Sequence, residues 1–163
     1  MLIGVLSDTH GRVDTTSVAI ERLRKRGAKQ LIHCGDVCSA RVLDLMVGIP
    51  CAFVWGNCDY DHPTLQGHAA ALGISCCGAM GRLTLDGKIV SFLHGDDQRQ
   101  VQRILSAQDC DYLLLGHSHS RNDQRVGRVR VINPGALHRA SLKTVALLDT
   151  SADTVEFLEI GEV

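Results

Sequence analysis

The chain is poor in aromatics and nearly without net charge, and each shortage removes a class of function. Phe, Trp and Tyr make up 4% of the 163 residues, too few to build the stacked-ring platforms that hold single-stranded nucleic acids. A formal charge of −1 supplies no long-range field toward nucleic acid or an anionic membrane surface. No apolar run approaches the roughly 20 residues that span a bilayer. Cys34, Cys38, Cys51, Cys58, Cys76, Cys77 and Cys110 contain no Cys-x-x-Cys pair, so neither a zinc knuckle nor a thioredoxin-like motif is spelled. Their number is odd, and most sit in or beside apolar runs, where a free thiol acts as a small hydrophobe. No secretory leader precedes the first apolar run, Leu2–Leu6. The expected compartment is therefore a reducing cytoplasm.

What is present is an ordinary globular balance, 45% hydrophobic and 21% charged, on a length that suits one domain over residues 1–163. Leu2–Leu6 reads as a strand, followed by a helix capped by Asp14 and running to about Arg26, with Thr16, Ile20 and Leu23 on its inner face. Gln30–Cys34 is a second strand. Ser39 then caps a short helix whose Val42, Leu45, Met46 and Ile49 keep 3.6-residue spacing. Cys51–Trp55 is a third strand, with Trp55 read as core, and Pro63 opens a helix carrying Leu65, Ala69 and Leu72 inward. The punctuation then changes. Asp86-Gly87 between two alternating runs is a hairpin signal. A helix over 97–107, a strand over 111–115 and strands near 124–126, 129–132, 143–149 and 154–160 complete the chain. A parallel βαβ half followed by hairpins predicts two sheets with helices on the outer faces. Arg121, Arg125, Arg128 and Arg130 read as a solvated face rather than a binding stripe.

The chemistry gathers where strands end. Five predicted strands close on groups of metal-ligand type: Asp8 with His10, Asp36, Asn57, His94, and His117 with His119. In open α/β sheets, ligands bind outside the carboxyl ends of strands. Each residue has a plain structural alternative. Asp8 can cap a helix, Asp36 and Asn57 can serve the turns after Gly35 and Gly56, and His94 can bond to backbone. If the segment stays extended, His117 and His119 at i and i+2 point into one pocket. Oxygen and nitrogen donors without a thiolate suit Mn²⁺, and also Zn²⁺, Fe²⁺ or Ni²⁺. Seven such donors are too many for one tetrahedral ion. They suit two ions sharing a carboxylate, spaced roughly 3.5–4 Å apart to clamp a phosphoryl group.

Five blocks in order, Asp8-Thr9-His10, Gly35-Asp36, Gly56-Asn57-Cys58-Asp59, His94 and Gly116-His117-Ser118-His119, resemble the calcineurin-like metallophosphoesterases. The likeness is strongest to their small prokaryotic phosphodiesterase branch, and Asn133-Pro134-Gly135 is similar to the family's later loop. The resemblance implies an α/β fold of two sheets in an αββα sandwich. It further implies that Asp8, His10 and His119 bind one metal, that Asn57, His94 and His117 bind the other, and that Asp36 bridges them. The implied reaction is phosphoester hydrolysis by a hydroxide held on the two ions, with Asn57 also touching the phosphate. A small phosphodiester is the implied partner, and a homo-oligomer is compatible with it.

One position departs from the pattern. Many phosphomonoesterases of the family carry a histidine after the Asn, paired with the next Asp and placed to assist the leaving group. Here Cys58 takes that place beside Asp59. An ordinary thiol, with a pKa of about 8.5, is mostly protonated at neutral pH but matches the imidazole–carboxylate arrangement poorly. Diesters are therefore expected in preference to monoesters. His62, His138 and Arg139 are the candidates to touch substrate in its stead, while His33 and His68 read as structural. Two other readings exist. One is a non-catalytic scaffold like the retromer subunit that resembles this branch; the complete ligand set argues against it. The other is a nuclease, for which the neutral charge leaves no nucleic-acid track.

Overall fold

A computed structural model describes residues 1–161; Glu162 and Val163, the end of the expected domain, lie outside the described residues. In chain order the elements are β1 (Leu2–Leu6), α1 (Val13–Lys25), β2 (Gln30–His33), α2 (Ala40–Met46), β3 (Cys51–Phe53), α3 (His62–Ala71) and β4 (Ser75–Cys76). Then come β5 (Met80–Leu85), β6 (Lys88–Leu93), α4 (Gln98–Ala107), β7 (Tyr112–Leu114), β8 (Asn122–Val126), β9 (Val129–Asn133), β10 (Thr144–Asp149) and β11 (Thr154–Glu159). One sheet runs β11-β10-β1-β2-β3-β4 and the other β5-β6-β7-β9-β8. β1, β2 and β3 are parallel neighbours, and so are β6, β7 and β9. Two bundles of parallel strands thus end on the same side of the molecule, and their outgoing loops converge there.

Side-chain alternation sorts the strands into layers. Ile3 and Val5 of β1 point to the second sheet and pack with Val90, Phe92, Leu114 and Ile132. Leu6, on the opposite face, packs with Ile20 and Leu23 of α1, Leu43 of α2 and Leu65 of α3. Behind the second sheet, Val101 and Ile104 of α4 cover Leu93, Leu113 and Val131. The result is the expected αββα sandwich, three helices on one side and one on the other. Gly4 of β1 is required by this packing, since a Cβ there would stand 2.8 Å from Leu31 Cδ2. Among the described residues no helix is long and apolar enough to cross a membrane.

Local chemistry sets several boundaries as expected. Ser39 accepts the Arg41 N–H, Asp97 accepts those of Arg99 and Gln100, and Pro63 lies in the first turn of α3 behind an Asp61 cap. Asp86 and Gly87 take φ of 55° and 73°, the paired left-handed turn that matches strand twist. Other expectations need correction. Asp14 does not cap α1; it lies in the first turn, and the N-cap position is Arg12, with no side-chain bond. In α2 Val42 and Met46 are buried as expected, but they are joined by Leu43, and Leu45 is only half-buried. Trp55 is only half-buried, edge-on to Phe53 at 5.0 Å. The arginines near β8 do form a largely solvated face, and they are ion-paired on it: Arg130 meets Asp123 and Asp153, Arg125 meets Asp153, and Arg128 lies 3.4 Å from Asp111. Such charges on an exposed edge strand block edge-to-edge association.

Candidate metal centre

All seven residues expected at strand ends meet on one face. Asp8 and His10 follow β1, Asp36 follows β2, Asn57 follows β3, His94 follows β6, and His117 and His119 follow β7. Backbone bonds stitch the loops together. The Asp8 N–H donates to Gly35 O at 3.1 Å and His10 N–H to Asp36 O at 2.9 Å, extending the β1–β2 pairing past both strands. Gly116 N–H donates to His94 O at 2.8 Å, doing the same for β6 and β7. His117 N–H crosses between sheets to Asp8 Oδ2 at 3.0 Å.

The glycines before Asp36, Asn57 and His117 have a steric cause. A Cβ on Gly56 would lie 2.2 Å from Asp36 Oδ1, and one on Gly116 would lie 2.0 Å from Ser7 Oγ and 2.9 Å from Asp8 Oδ2. Gly35, at φ 95°, would meet His94 Nδ1 at 2.7 Å. The ligand-bearing backbone is packed against itself, with no room for even a methyl group.

Two donor clusters result. Asp8 Oδ1 lies 3.1 Å from His119 Nε2 and 3.9 Å from His10 Nε2. Asn57 Oδ1 lies 3.0 Å from His94 Nε2 and 3.1 Å from His117 Nδ1. Between them, Asp36 Oδ2 stands 3.4 Å from both His10 Nε2 and His94 Nε2. Each carboxylate has its other oxygen fixed by backbone: Asp8 Oδ2 by His117 N–H, and Asp36 Oδ1 by Cys58 N–H at 2.7 Å. The inward-facing atoms are poorly satisfied. Asp8 Oδ1 and His10 Nε2 are buried without any hydrogen-bond partner, a cost of about 1–3 kcal/mol per group that a coordinated cation would remove. The residues therefore fit a divalent metal. Asp8, His10 and His119, and separately Asp8, Asp36 and His94, bring their donor atoms within 4.8 Å of one another.

Burial and charge set the protonation of two of these groups. Burial works against charge on His94, but Asp36, the Cys34 carbonyl and Asp8 outweigh it and lift the imidazole to about 9. Burial likewise opposes charge on Asp36, yet His94, the Cys58 N–H and His10 hold it down at about 2. Because the Cys34 carbonyl can only accept, His94 Nδ1 carries a proton and donates to it across 2.8 Å. That orients Nε2 toward Asn57 and Asp36, so a metal would displace a proton there.

The histidine pair corrects the extended-segment expectation. β7 stops at Leu114, and His117 and His119 take φ of 65° and 56°. They face the centre because the backbone turns left-handed after Gly116, not because they alternate on a strand. Asp8, His10 and Asp36 share this conformation, at φ 53°, 43° and 58°. Non-glycine residues held there cost about 1–3 kcal/mol each and cluster at functional sites.

Around the ligands, three residues brace the loops. Asp59 is 3% exposed and accepts N–H bonds from Cys38 at 2.7 Å and from Asp36 and Gly56 at 2.9 Å. Asn133 donates to Gly116 O at 2.7 Å and Ser118 Oγ at 3.1 Å, tying the Asn-Pro-Gly turn to the histidine loop. His33 is fully buried with Nε2 3.0 Å from Thr9 Oγ1, and burial drives its pKa down to about 3. The family resemblance pointed to Asp59, but nothing in the sequence signalled that His33 sits under the β1 loop. His68 instead pairs with Asp44 at 2.7 Å on the helical surface.

The remaining candidates divide. His138 comes to the centre, its ring 5.1 Å from that of His10, and Arg139 follows it, exposed, at φ 50°. Cys58 lies beside Asn57, whose Nδ2 donates to its sulfur at 3.4 Å. Burial and Asp36 push its thiol pKa up. His62 is not among the clustered donors; it stacks on Trp55 with ring centroids 4.2 Å apart.

Similar proteins share this arrangement of the chain. Phosphodiesterase MJ0936 of Methanocaldococcus jannaschii is 27% identical over 98% of both chains. The structure of an archaeal phosphodiesterase superposes with a TM-score of 0.90 at 25% identity, covering 98% of this chain and 99% of that one. Zinc-complexed Vps29 of Entamoeba histolytica shares the fold, with a TM-score of 0.65 at 17% identity over 99% of this chain and all of that one. Residues 1–153 match the model of the calcineurin-like phosphoesterase superfamily domain. With that match over nearly the whole chain, the protein belongs to the calcineurin-like phosphoesterase superfamily.

Proposed function

We propose that the chain is a single-domain, dinuclear metal-dependent phosphodiesterase of the cytoplasm. Asp8, His10 and His119 hold one divalent cation, Asn57, His94 and His117 the other, and Asp36 lies between them. The observation that carries this reading is Asp36 Oδ2, 3.4 Å from one histidine of each cluster, while its other oxygen is pinned by backbone. Mn²⁺ suits the mixed oxygen and nitrogen donors best, with Zn²⁺, Fe²⁺ or Ni²⁺ as alternatives. When bound, such a pair supplies a nucleophile from water at neutral pH and neutralises charge on the phosphoryl oxygens.

The protein's own groups then divide the work. Asn57 offers Oδ1 to the cluster and its amide N–H to a phosphoryl oxygen. Asp59 touches neither substrate nor donor atoms and positions Asp36 through its N–H. Cys58 stands where an imidazole would donate a proton; burial and Asp36 keep its thiol protonated, and it matches the imidazole–carboxylate arrangement poorly. Leaving groups that depart on their own acidity are therefore favoured, which suits activated esters. A diester also carries one less negative charge than a monoester dianion, so it asks less of the site. His138, at the mouth beside His10, and the adjacent Arg139 are placed to meet an ester arm; His62, turned onto Trp55, is not. The phosphodiesterase named among its relatives points the same way, and the seven free cysteines suit a reducing compartment.

Metal-reconstituted protein should hydrolyse bis(p-nitrophenyl) phosphate faster than p-nitrophenyl phosphate, and Asp36→Ala should abolish turnover. Retained turnover in Asp36→Ala would overturn the shared-carboxylate assignment. Absence of both bound metal and turnover would leave the scaffold reading.

A further inference from the structure

Two cavities open beside His10, and they differ in kind. One, of about 510 Å³, is walled by Cys38, Ala40, Cys58, Tyr60 and Leu65, with Asp61 at its rim. It is largely apolar, Tyr60 is 86% exposed there, and its only full charge is negative. The other, of about 550 Å³, lies on the far side of His138 and is lined by Arg12, Arg41 and Lys143, with Asp14 as the single carboxylate. Its three cations come from separate elements: the loop before α1, helix α2, and the segment before β10.

These cations are unlike most others on the molecule. Arg26, Arg82, Arg125, Arg128 and Arg130 each have a carboxylate within 4.0 Å. Among the described residues, no such ion pair involves Arg12, Arg41 or Lys143. Arg12 Nε donates to His138 Nδ1 at 3.3 Å, so this ring accepts on the cavity side and packs against His10 on the other. The N-terminus of α1, which no side chain caps, opens into the same space. Concentrated, unneutralised positive charge within one residue of the metal centre is a receptor for an anion. That anion is not the reacting phosphate, which cations held at the donor clusters would bind.

We propose that the Arg12–Arg41–Lys143 cavity is a subsite for a second phosphate carried on one ester arm, so that the substrates are diesters with a phosphorylated arm. This rests on the phosphodiesterase reading above and names its substrate class. An apolar or planar arm would occupy the Tyr60 side, where Asp61 repels an anion. Hydrolysis adds one water across the P–O bond. The phosphoryl group keeps the oxygen, the leaving oxygen departs with its electron pair, and the arm with its second phosphate is released as a bisphosphate.

The test compares two diesters that share a leaving group: the p-nitrophenyl ester of thymidine 5′-phosphate, and the same ester phosphorylated on the 3′ oxygen. In Mn²⁺-loaded wild-type protein the 3′-phosphorylated ester should show kcat/KM at least about tenfold higher. The preference should shrink as ionic strength rises. In the Arg41→Ala/Lys143→Ala double variant the ratio should fall to about one, whereas Arg103→Ala, which removes a remote exposed charge on α4, should keep it. A wild-type ratio of one or less, or a ratio preserved in the double variant, overturns the subsite while leaving the phosphodiesterase standing. No turnover of either ester overturns the parent reading instead.

Discussion

Replacing Asp59 by Asn tests whether that carboxylate holds the bridging residue in place. Its three N–H donors come from Asp36, Gly56 and Cys38, and two of those residues, Asp36 and Cys38, sit at φ 58°. Asparagine keeps the shape but only one acceptor oxygen. If that oxygen takes the Oδ2 position it still serves Asp36 and Gly56, and the new NH₂ then faces the Cys38 N–H. The loss is one charge-assisted bond, with an orphaned donor in a residue that is 3% exposed, together about 3 kcal/mol. For a chain of this length that lowers Tm by about 6–12 °C, read by calorimetry on EDTA-treated protein. Asp59→Ala, which removes all three bonds, should lower it further.

The second readout separates bracing from ligation. Since Asp59 faces backbone rather than the donor atoms, the Asn variant should still bind two Mn²⁺ at saturation. Both should be held more weakly, because the relaxed backbone carries the shared Asp36. A Tm within about 1 °C of wild type would refute the energetic reasoning. Outright loss of one ion, with the other bound at wild-type affinity, would make Asp59 a ligand and refute the positional role.

Gly56→Ala should disable the centre without touching a ligand, because its Cβ would lie 2.2 Å from Asp36 Oδ1 and 2.4 Å from Asp36 N. Displacing that carboxylate should cost about 10²-fold in kcat/KM, while Gly67→Ala, with nothing within 4 Å, should be silent in the same assay. His117→Ala and His119→Ala should weaken different ions, since one ring faces Asn57 and the other Asp8; calorimetric titration that found the same ion lost in both would unmake the division. His33 predicts an acid limb in the metal-free protein. Its pKa falls from 6.5 to about 3 on folding, so the unfolded chain binds the extra proton. The contribution of His33 should be intact above pH 6.5 and decline by about 1.4 kcal/mol per unit between there and about pH 4. Asp36, lowered from 3.8 to about 2, acts only below that window, and His94, raised from 6.5 to about 9, only above it. His33→Leu should flatten the slope between pH 6 and 4 in urea titrations; an unchanged slope would refute the assignment.

The layers and the position of the site were legible in the residues because both depend on local pattern. The continuous apolar run Leu2–Leu6 and the 3.6-residue spacing in α4 report burial directly, and five strand ends carrying donor groups locate a carboxyl-end site. What spacing could not convey is how backbone meets backbone. The two-residue β4 has too little sequence to signal itself, and its pairing with β3 is a tertiary event. In α2 the buried face is Val42, Leu43 and Met46, because the helix packs between α1 and α3; spacing alone left open whether Leu43 or Leu45 joined that face. Asp14 has the right chemistry for a cap but stands two positions too far into α1. His33 resembles any strand histidine; only the fold reveals Thr9 beneath the β1 loop.

The same limit explains the histidine pair. Two imidazoles at i and i+2 predict a shared direction only while the chain stays extended, and here five of the seven donors sit at positive φ. The glycines and the left-handed residues both serve the close approach of the loops. Gly35, Gly56 and Gly116 let neighbouring loops close to within a methyl group of each other; after Gly35 and Gly116 the next residue, Asp36 or His117, turns left, while Asn57 after Gly56 does not. Strain of that kind persists only where the surroundings over-determine it. Here the loop-to-loop bonds at Gly35 O, Asp36 O and His94 O, with the carboxylates of Asp8 and Asp59 and the amide of Asn133, supply that restraint. Buried donors without partners and backbone held off its preferred angles both raise the energy of the metal-free chain. Binding a cation relieves the first, and the second keeps the donors from relaxing toward one another in its absence. The centre is thus preorganised at the expense of apo stability. Mn²⁺ at a hundred times its Kd should accordingly raise folding stability by about 2.7 kcal/mol for each independent site.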